Sequence, residues 1–209
     1  MKASKYILSL LLISLSTISI SSATPVGHLP AKHYAANIKT SNRIVEDACK
    51  ALRENSPFAE EFVKSHTETQ LDGELNAITS YAEKFLGTRY RLGASGPNRF
   101  DCSGFVGYVF RNFGYNLNRD SRSQYLQGDK VETAELRPGD LLFFSSRSSG
   151  KGRVGHVAIV LTVNPDGSCT FIHASSSKKG VVRQKFPDNG YYSKHFIGAK
   201  RIVGSSQFS

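Results

Sequence analysis

The sequence predicts an α+β domain in which helices pack on one antiparallel sheet of about five strands. Apolar residues recur at helical spacing up to Phe113, whereas short apolar runs typical of strands follow Pro138-Gly139-Asp140. Helices that precede strands along the chain favour helices gathered on an antiparallel sheet. The 209 residues include 13 Phe and 9 Tyr, which is enough apolar material for a core. There are no heptads or internal repeats, so coiled coils and solenoids are excluded.

The first 23 residues have the layout of a secretory signal peptide. Lys2 and Lys5 precede an apolar stretch over residues 7–20, and small residues follow as far as Ala23, where we predict cleavage. Serine and threonine interrupt the stretch, which is shorter than the roughly 20 apolar residues that a membrane span needs. We therefore expect an exported protein, periplasmic or extracellular, with no stable membrane span.

We divide the rest of the chain into three parts. Residues 24–74 form an N-terminal helical pre-segment or spacer, residues 75–203 the main domain, for which the motifs below imply catalysis, and residues 204–209 a tail. From residue 75 to the end, the chain has 19 Lys and Arg residues and 9 Asp and Glu residues. Such a basic surface attracts polyanions. In an exported protein we expect the partner to be cell-wall polymer or its peptides rather than nucleic acid, and we expect a monomer.

Two amphipathic helices are predicted before the strands, over residues 75–86 and 103–113. Each is followed by a glycine, which is typical of a helix C-terminus. Ser121 and Gln124 resemble the capping box of a further short helix. In the pre-segment, residues 41–52 and the region of Phe58 and Phe62 predict two more short helices.

Five strands are predicted in the second half of the chain, over residues 141–144, 156–163, 169–173, 181–185 and 196–203. His156 begins the second strand and His173 ends the third, with a strong turn signal at residues 164–168. If these strands pair around a centre between residues 164 and 165, the imidazoles lie opposite each other. If the centre of pairing moves by a whole residue, the imidazoles are diagonal on the same face. If it moves by half a residue, they lie on opposite faces.

A cysteine stands where a loop runs into a helix, in the stretch Phe100-Asp101-Cys102-Ser103-Gly104-Phe105. The positive end of the helix dipole favours a thiolate, which is the nucleophilic form. Two adjacent imidazoles would provide a base and its orienting partner. Cys102, His156 and His173 are therefore the candidate catalytic residues.

These motifs together resemble the NlpC/P60 family of cell-wall cysteine peptidases. The matching segments follow the family's order over about residues 75–203: DCSGF at 101–105, PGDLLFF at 138–144, GHVAIVL at 155–161 and FIHAS at 171–175. The resemblance implies a papain-like core and hydrolysis of amide bonds in peptidoglycan stem peptides, commonly between D-γ-glutamyl and a diamino acid. It implies that Cys102 is the nucleophile, His156 the general base and His173 the residue that orients it.

The resemblance also implies substrate-binding positions and no cofactor or metal. Tyr90 matches a tyrosine that lines the site, and Asp101 and Ser103 match positions that contact the substrate. Many relatives have two glycines after that tyrosine, whereas here Gly93 is followed by Ala94. This departure affects the expected shape of the pocket and not the catalytic residues.

Three other functions stay open. Cys102, His156 and His173 are also zinc ligands by type, so a zinc-dependent hydrolase is an alternative. The chain could instead be a catalytically inactive cell-wall-binding module, or a thiol hydrolase or acyltransferase of related fold. Cys49 and Cys169 could form a disulfide in an oxidising compartment, or Cys169 could simply be buried.

Overall fold

The computed structural model describes residues 59–208 of the chain. The predicted signal peptide, the rest of the pre-segment before residue 59 and Cys49 lie outside the described residues. Within the described part, no helix is both long and apolar enough to cross a membrane.

Helix α1 (Ala59–Glu83) is longer than the sequence predicts. It runs through residue 75, where we placed the start of the catalytic domain, and it replaces the separate short helix expected around Phe62. After Pro57 no proline interrupts the helical pattern, so nothing in the sequence forces a break. Its C-terminal half is anchored by Leu75, Ile78 and Ala82, which are buried.

Three more helices follow: α2 (Cys102–Arg111), α3 (Ser121–Tyr125) and α4 (Tyr191–His195). The predicted capping box at α3 is wrong, because Asp120 caps this helix and accepts hydrogen bonds from the backbone N–H groups of Arg122 and Ser123, both at 3.1 Å. Gln124 turns inward instead and donates to the carbonyl oxygens of Ser103 and Asn118.

The sheet has eight strands and is mixed, so the prediction of about five antiparallel strands is corrected. The strands are β1 (Arg89–Tyr90), β2 (Arg99–Phe100), β3 (Asp129–Val131), β4 (Leu141–Ser145), β5 (Val154–Val163), β6 (Cys169–Ser175), β7 (Gly180–Phe186) and β8 (Phe196–Arg201). Their order is β2-β1-β7-β6-β5-β4-β8-β3, with β1 and β2 parallel and the other pairs antiparallel. The three strands missed, β1 to β3, are two or three residues long, too short to show a period.

Buried side chains line both faces of the central strands. Along β5, Val157 and Ile159 belong to a core shared with α1 and α2, whereas Ala158 and Val160 belong to a second core rich in phenylalanine. Because both faces of β5 are covered, this strand reads as a continuous apolar run rather than as an alternating one. The side chains of His156 and His173 contact phenylalanine rings of this second core.

A β-bulge in β5 sets the relative position of His156 and His173. The pairing is Thr162 with Thr170 near the turn, and Val160 with Phe171 beyond the bulge. Leu161 is the extra residue. If the pairing of Thr162 with Thr170 continued along the strands without the bulge, the two histidines would lie on opposite faces of the sheet. With it they lie diagonally on the same face, one of the arrangements that the sequence allows.

Candidate active site

Cys102 is the first residue of α2, and its thiol lies against β5. Asp101 caps the helix, with its Oδ1 accepting a hydrogen bond from the backbone N–H of Gly104 at 2.7 Å. The backbone N–H groups of Ser103 and Val157 lie close to the thiol. Since Val157 follows His156 in the chain, the helix start and the first histidine lie side by side.

The thiol is held in its protonated form. Burial, and next the nearby Asp101 carboxylate, raise the pKa of Cys102, although backbone N–H groups of Ser103, Val157 and Cys102 itself act in the opposite direction. This shift opposes the resting thiolate that the helix start favours. The helix terminus does stabilise negative charge, but the desolvation of a half-buried sulfur outweighs it.

The structure brings the two imidazoles together. Nε2 of His156 lies 2.8 Å from Nδ1 of His173, and the rings meet edge to face at 84°. His156 keeps part of its surface exposed, whereas His173 is fully buried. Burial lowers the pKa of His156 to about 4. Burial, and then the proximity of His156, lower the pKa of His173 well below its usual value. Both rings are therefore neutral at pH 7.

The contact between the two rings leaves Nδ1 of His156 as the nitrogen available to act as a base. Among residues 59–208, no hydrogen bond joins the Cys102 thiol to an imidazole. Catalytic hydrogen bonds are often long without substrate and shorten in the complex. Within the same described range, no group of three or more His, Cys, Asp or Glu side chains is arranged to hold a metal ion. The zinc alternative therefore gains no support from the donor geometry.

Tyr90 reaches the site through the short parallel pair of β1 and β2. It is paired with Phe100, two residues before Cys102. Burial, followed by the proximity of Cys102 and Asp101, raises the pKa of Tyr90. This half-buried phenol therefore stays protonated and can donate a hydrogen bond beside the nucleophile.

Asp101 and Ser103 are buried and engaged within the protein. The Asp101 carboxylate accepts from the backbone N–H of Gly93 at 2.8 Å and from both terminal nitrogens of Arg119, at 2.7 and 3.1 Å. The Ser103 hydroxyl donates to Asp101 at 3.4 Å and accepts from Arg119 at 3.1 Å. This network ties the loop after Tyr90 to the helix start. Direct contact of Asp101 and Ser103 with a substrate stays a prediction.

Sequence reasoning missed two residues of the site, Arg119 and Tyr192. Arg119 forms the bidentate ion pair with Asp101, and the Tyr192 hydroxyl lies 3.3 Å from Nε2 of His173. Arg119 lies in a loop, next to the Asp120 cap that was also missed. Tyr192 lies in α4, a five-residue helix with no periodic signal. Neither position had a local pattern that pointed to the cysteine or the histidines.

Cys169 is a free thiol, buried in the second core with 1% of its surface exposed. Burial raises its pKa to about 11. The structure shows Cys169 buried, and because Cys49 lies outside the described residues, a disulfide between the two stays a prediction.

Comparison with known proteins gives a consistent result. The sequence profile of the NlpC/P60 family matches residues 87–201. The chain is 32% identical over 177 residues to the murein DD-endopeptidase MepS/murein LD-carboxypeptidase of Escherichia coli strain K12, covering 84% of this chain and 85% of that protein. It is 34% identical over 135 residues to the gamma-DL-glutamyl hydrolase of Bacillus subtilis strain 168, covering 64% of this chain but only 31% of the hydrolase.

A solved structure shares the fold. A member of the NLP/P60 family from Staphylococcus aureus, similar to a lipoprotein, superposes with a TM-score of 0.55 and 32% identity, over 63% of this chain and 42% of that one. The chain thus spans less than half the length of this structure. With the profile match and the Escherichia coli relative, these findings show that the chain belongs to the NlpC/P60 family of cysteine peptidases.

Proposed function

We propose that this protein is an exported cysteine peptidase that hydrolyses amide bonds in the stem peptides of peptidoglycan, at the bond between D-γ-glutamyl and a diamino acid. The observation that carries the proposal is the hydrogen-bonded pair of His156 and His173 beside a cysteine at a helix start. The names of the Escherichia coli and Bacillus subtilis relatives support the murein substrate and the γ-glutamyl bond, respectively.

The neutral thiol and imidazole define the first step. Nδ1 of His156 takes the proton of Cys102, and the resulting thiolate attacks the carbonyl carbon of the scissile amide. The imidazolium then donates this proton to the leaving amine, so a free amino group and a thioester are formed. Water, activated by the same imidazole, hydrolyses the thioester and restores the thiol.

Two donors are candidates to stabilise the tetrahedral oxyanion. The backbone N–H of Cys102 lies at the positive end of α2, and Cys102 contributes, after burial, to the raised pKa of the Tyr90 phenol, so the two groups are neighbours. Both donors are fixed before the reaction, which is the property that makes such groups effective. The network of Asp101, Ser103 and Arg119 positions them by holding the loop and the helix together.

The test is digestion of purified peptidoglycan, with mass analysis of the products. We expect the native protein to release fragments with a new γ-glutamyl carboxylate and a new amino end on the diamino acid. Cys102→Ala should lower turnover by at least about a thousandfold without loss of folding, because it removes the nucleophile. Cys169→Ala is the matched control, since it removes the other described thiol away from the site, and it should retain activity.

Two results would contradict parts of the proposal. Full activity of Cys102→Ala would exclude thiol catalysis. Cleavage at a crosslink by the native protein, lost in Cys102→Ala, would preserve the chemistry but overturn the proposed γ-glutamyl bond.

A further inference from the structure

We propose that Tyr192 is a positioning residue that fixes the tautomers of His173 and His156 by accepting a hydrogen bond from His173. The inference rests on the proposed function, because it concerns the base of that reaction. The Tyr192 hydroxyl oxygen lies 3.3 Å from Nε2 of His173, on the side of this ring opposite to His156.

The reaction requires one tautomer of each histidine. Nδ1 of His156 must be free of a proton if it is to accept one from Cys102. A neutral imidazole carries a single proton, so that proton must sit on Nε2, from which it is donated to Nδ1 of His173. His173 must then carry its own proton on Nε2, the nitrogen that faces Tyr192.

The direction of the hydrogen bond at Tyr192 therefore decides whether the base is competent. If the phenol accepts from Nε2 of His173, both histidines have the tautomer that the reaction needs. If the phenol donates instead, His173 carries its proton on Nδ1 and passes the hydrogen bond back to His156. His156 then carries its proton on Nδ1 and cannot accept another from the thiol.

Ser175 is the candidate acceptor for the phenol proton. Burial raises the pKa of Tyr192 to about 12, and the neighbouring Ser175 hydroxyl acts in the opposite direction. The Ser175 hydroxyl oxygen lies 3.1 Å from that of Ser177 and accepts from the backbone N–H of Lys178 at 3.2 Å. If the Ser175 hydroxyl donates to Ser177, its remaining lone pair is free to accept the phenol proton of Tyr192. The phenol then faces His173 with a lone pair.

Packing holds the phenol in this position. The Tyr192 ring meets the rings of Phe144, Phe171 and His173 edge to face, with centroids 5.0 to 5.4 Å apart. Its backbone N–H donates to the carboxylate of Asp188 at 3.3 Å, which anchors the start of α4. Because His173 is fully buried, bulk water cannot replace the phenol as a partner.

The experiment combines tautomer measurement with kinetics. In protein with ¹⁵N-labelled histidine, NMR should show the proton on Nε2 of both His156 and His173. Tyr192→Phe keeps the ring but removes the acceptor, and it should shift His173 toward the Nδ1 tautomer. With purified peptidoglycan, kcat should fall about tenfold with KM unchanged, a fraction of the about 100- to 10,000-fold that a general base contributes.

Tyr191→Phe is the matched control, because its hydroxyl lies 3.5 Å from the carbonyl oxygen of Ser145 and outside the histidine chain. It should change neither the tautomers nor kcat. Ser175→Ala should turn the phenol proton toward His173 and give the inactive tautomers, with the ring still in place. Unchanged tautomers in Tyr192→Phe would overturn the proposal. If the tautomers respond but the native protein hydrolyses no peptidoglycan, the proposed function fails and the role of Tyr192 stands.

Discussion

At Cys102 two physical effects act on one sulfur in opposite directions. The backbone N–H groups at the start of α2 favour the thiolate, and burial together with Asp101 favours the thiol. Burial also favours the neutral form of His156, because it lowers the pKa of the imidazole to about 4. A neutral pair at rest means that charge separates only when the proton moves from sulfur to nitrogen. In the proposed mechanism Cys102 is therefore activated by an adjacent base, as a serine nucleophile would be.

The protonation state of Cys102 can be tested by alkylation with iodoacetamide as a function of pH. Only the thiolate reacts, so the rate should stay low at neutral pH and rise at or above the ordinary thiol pKa of 9.0. The measurement is made on a Cys49→Ala/Cys169→Ala double variant, so that Cys102 is the only cysteine left. Fast alkylation with a plateau at neutral pH would show a stable thiolate and contradict this assignment.

At the scale of elements, the start of α2 and the bulge in β5 are what bring the catalytic groups together. Gly104 lies in the first turn of α2, where the carbonyl oxygen of Ala94 and the Asp101 carboxylate leave no room for a side chain. The close approach fixes the loop after Tyr90 against the helix. The bulge at Leu161 then directs both imidazoles to one face. The close approach at Gly104 and the bulge at Leu161 are both local features. Each positions a side chain of the site only because another element packs against it.

Substitution of glycine at two positions of α2 separates close packing from helix propensity. Gly104→Ala should lower the free energy of unfolding by about 2 kcal/mol or more and reduce turnover, because its Cβ would collide with the Ala94 carbonyl. Gly107→Ala should raise stability by up to about 1 kcal/mol, because its Cβ meets only the side-chain nitrogen of Gln124 at 3.7 Å. Urea unfolding measures both. Equal effects of the two substitutions would refute the role given to Gly104.

For the whole molecule, the sheet is covered on both faces, and this leaves two neutral histidines in a largely apolar environment. The second core, with Phe144 and Phe171, surrounds the pair. Such an arrangement is stable only while the rings carry no charge, since an imidazolium there would lose its hydration. The same burial that prepares the base therefore makes the fold sensitive to acid.

Stability should fall as the pH falls from about 6.5 to about 4. In this window the unfolded chain binds protons at His156 and His173, whereas the folded chain does not, so stability rises with pH. For His156 the change is about 3 kcal/mol. Urea unfolding at several pH values measures it, and His156→Gln should show a smaller loss than the native protein. An identical pH dependence in the two proteins would contradict a buried neutral His156.

The sequence by itself determined the α+β class, the cysteine at a helix start and the two histidines on neighbouring strands, because periodicity, turn residues and helix signals are local properties. It placed the histidines at strand ends, whereas His156 is the third residue of β5 and β6 continues past His173 to Ser175. It also determined the family, through motifs that occur in order. The short strands β1 to β3 and the helix α4 have no period to detect, so only the folded chain revealed them.

Tertiary structure alone decided how the site is completed. The face on which the histidines meet depends on a bulge, which changes the strand register by one residue and leaves no mark in composition. Arg119 and Tyr192 reach Asp101 and His173 from distant parts of the chain. The protonation of Cys102 and His156 depends on burial, which is a property of all the surrounding elements at once and of no segment alone.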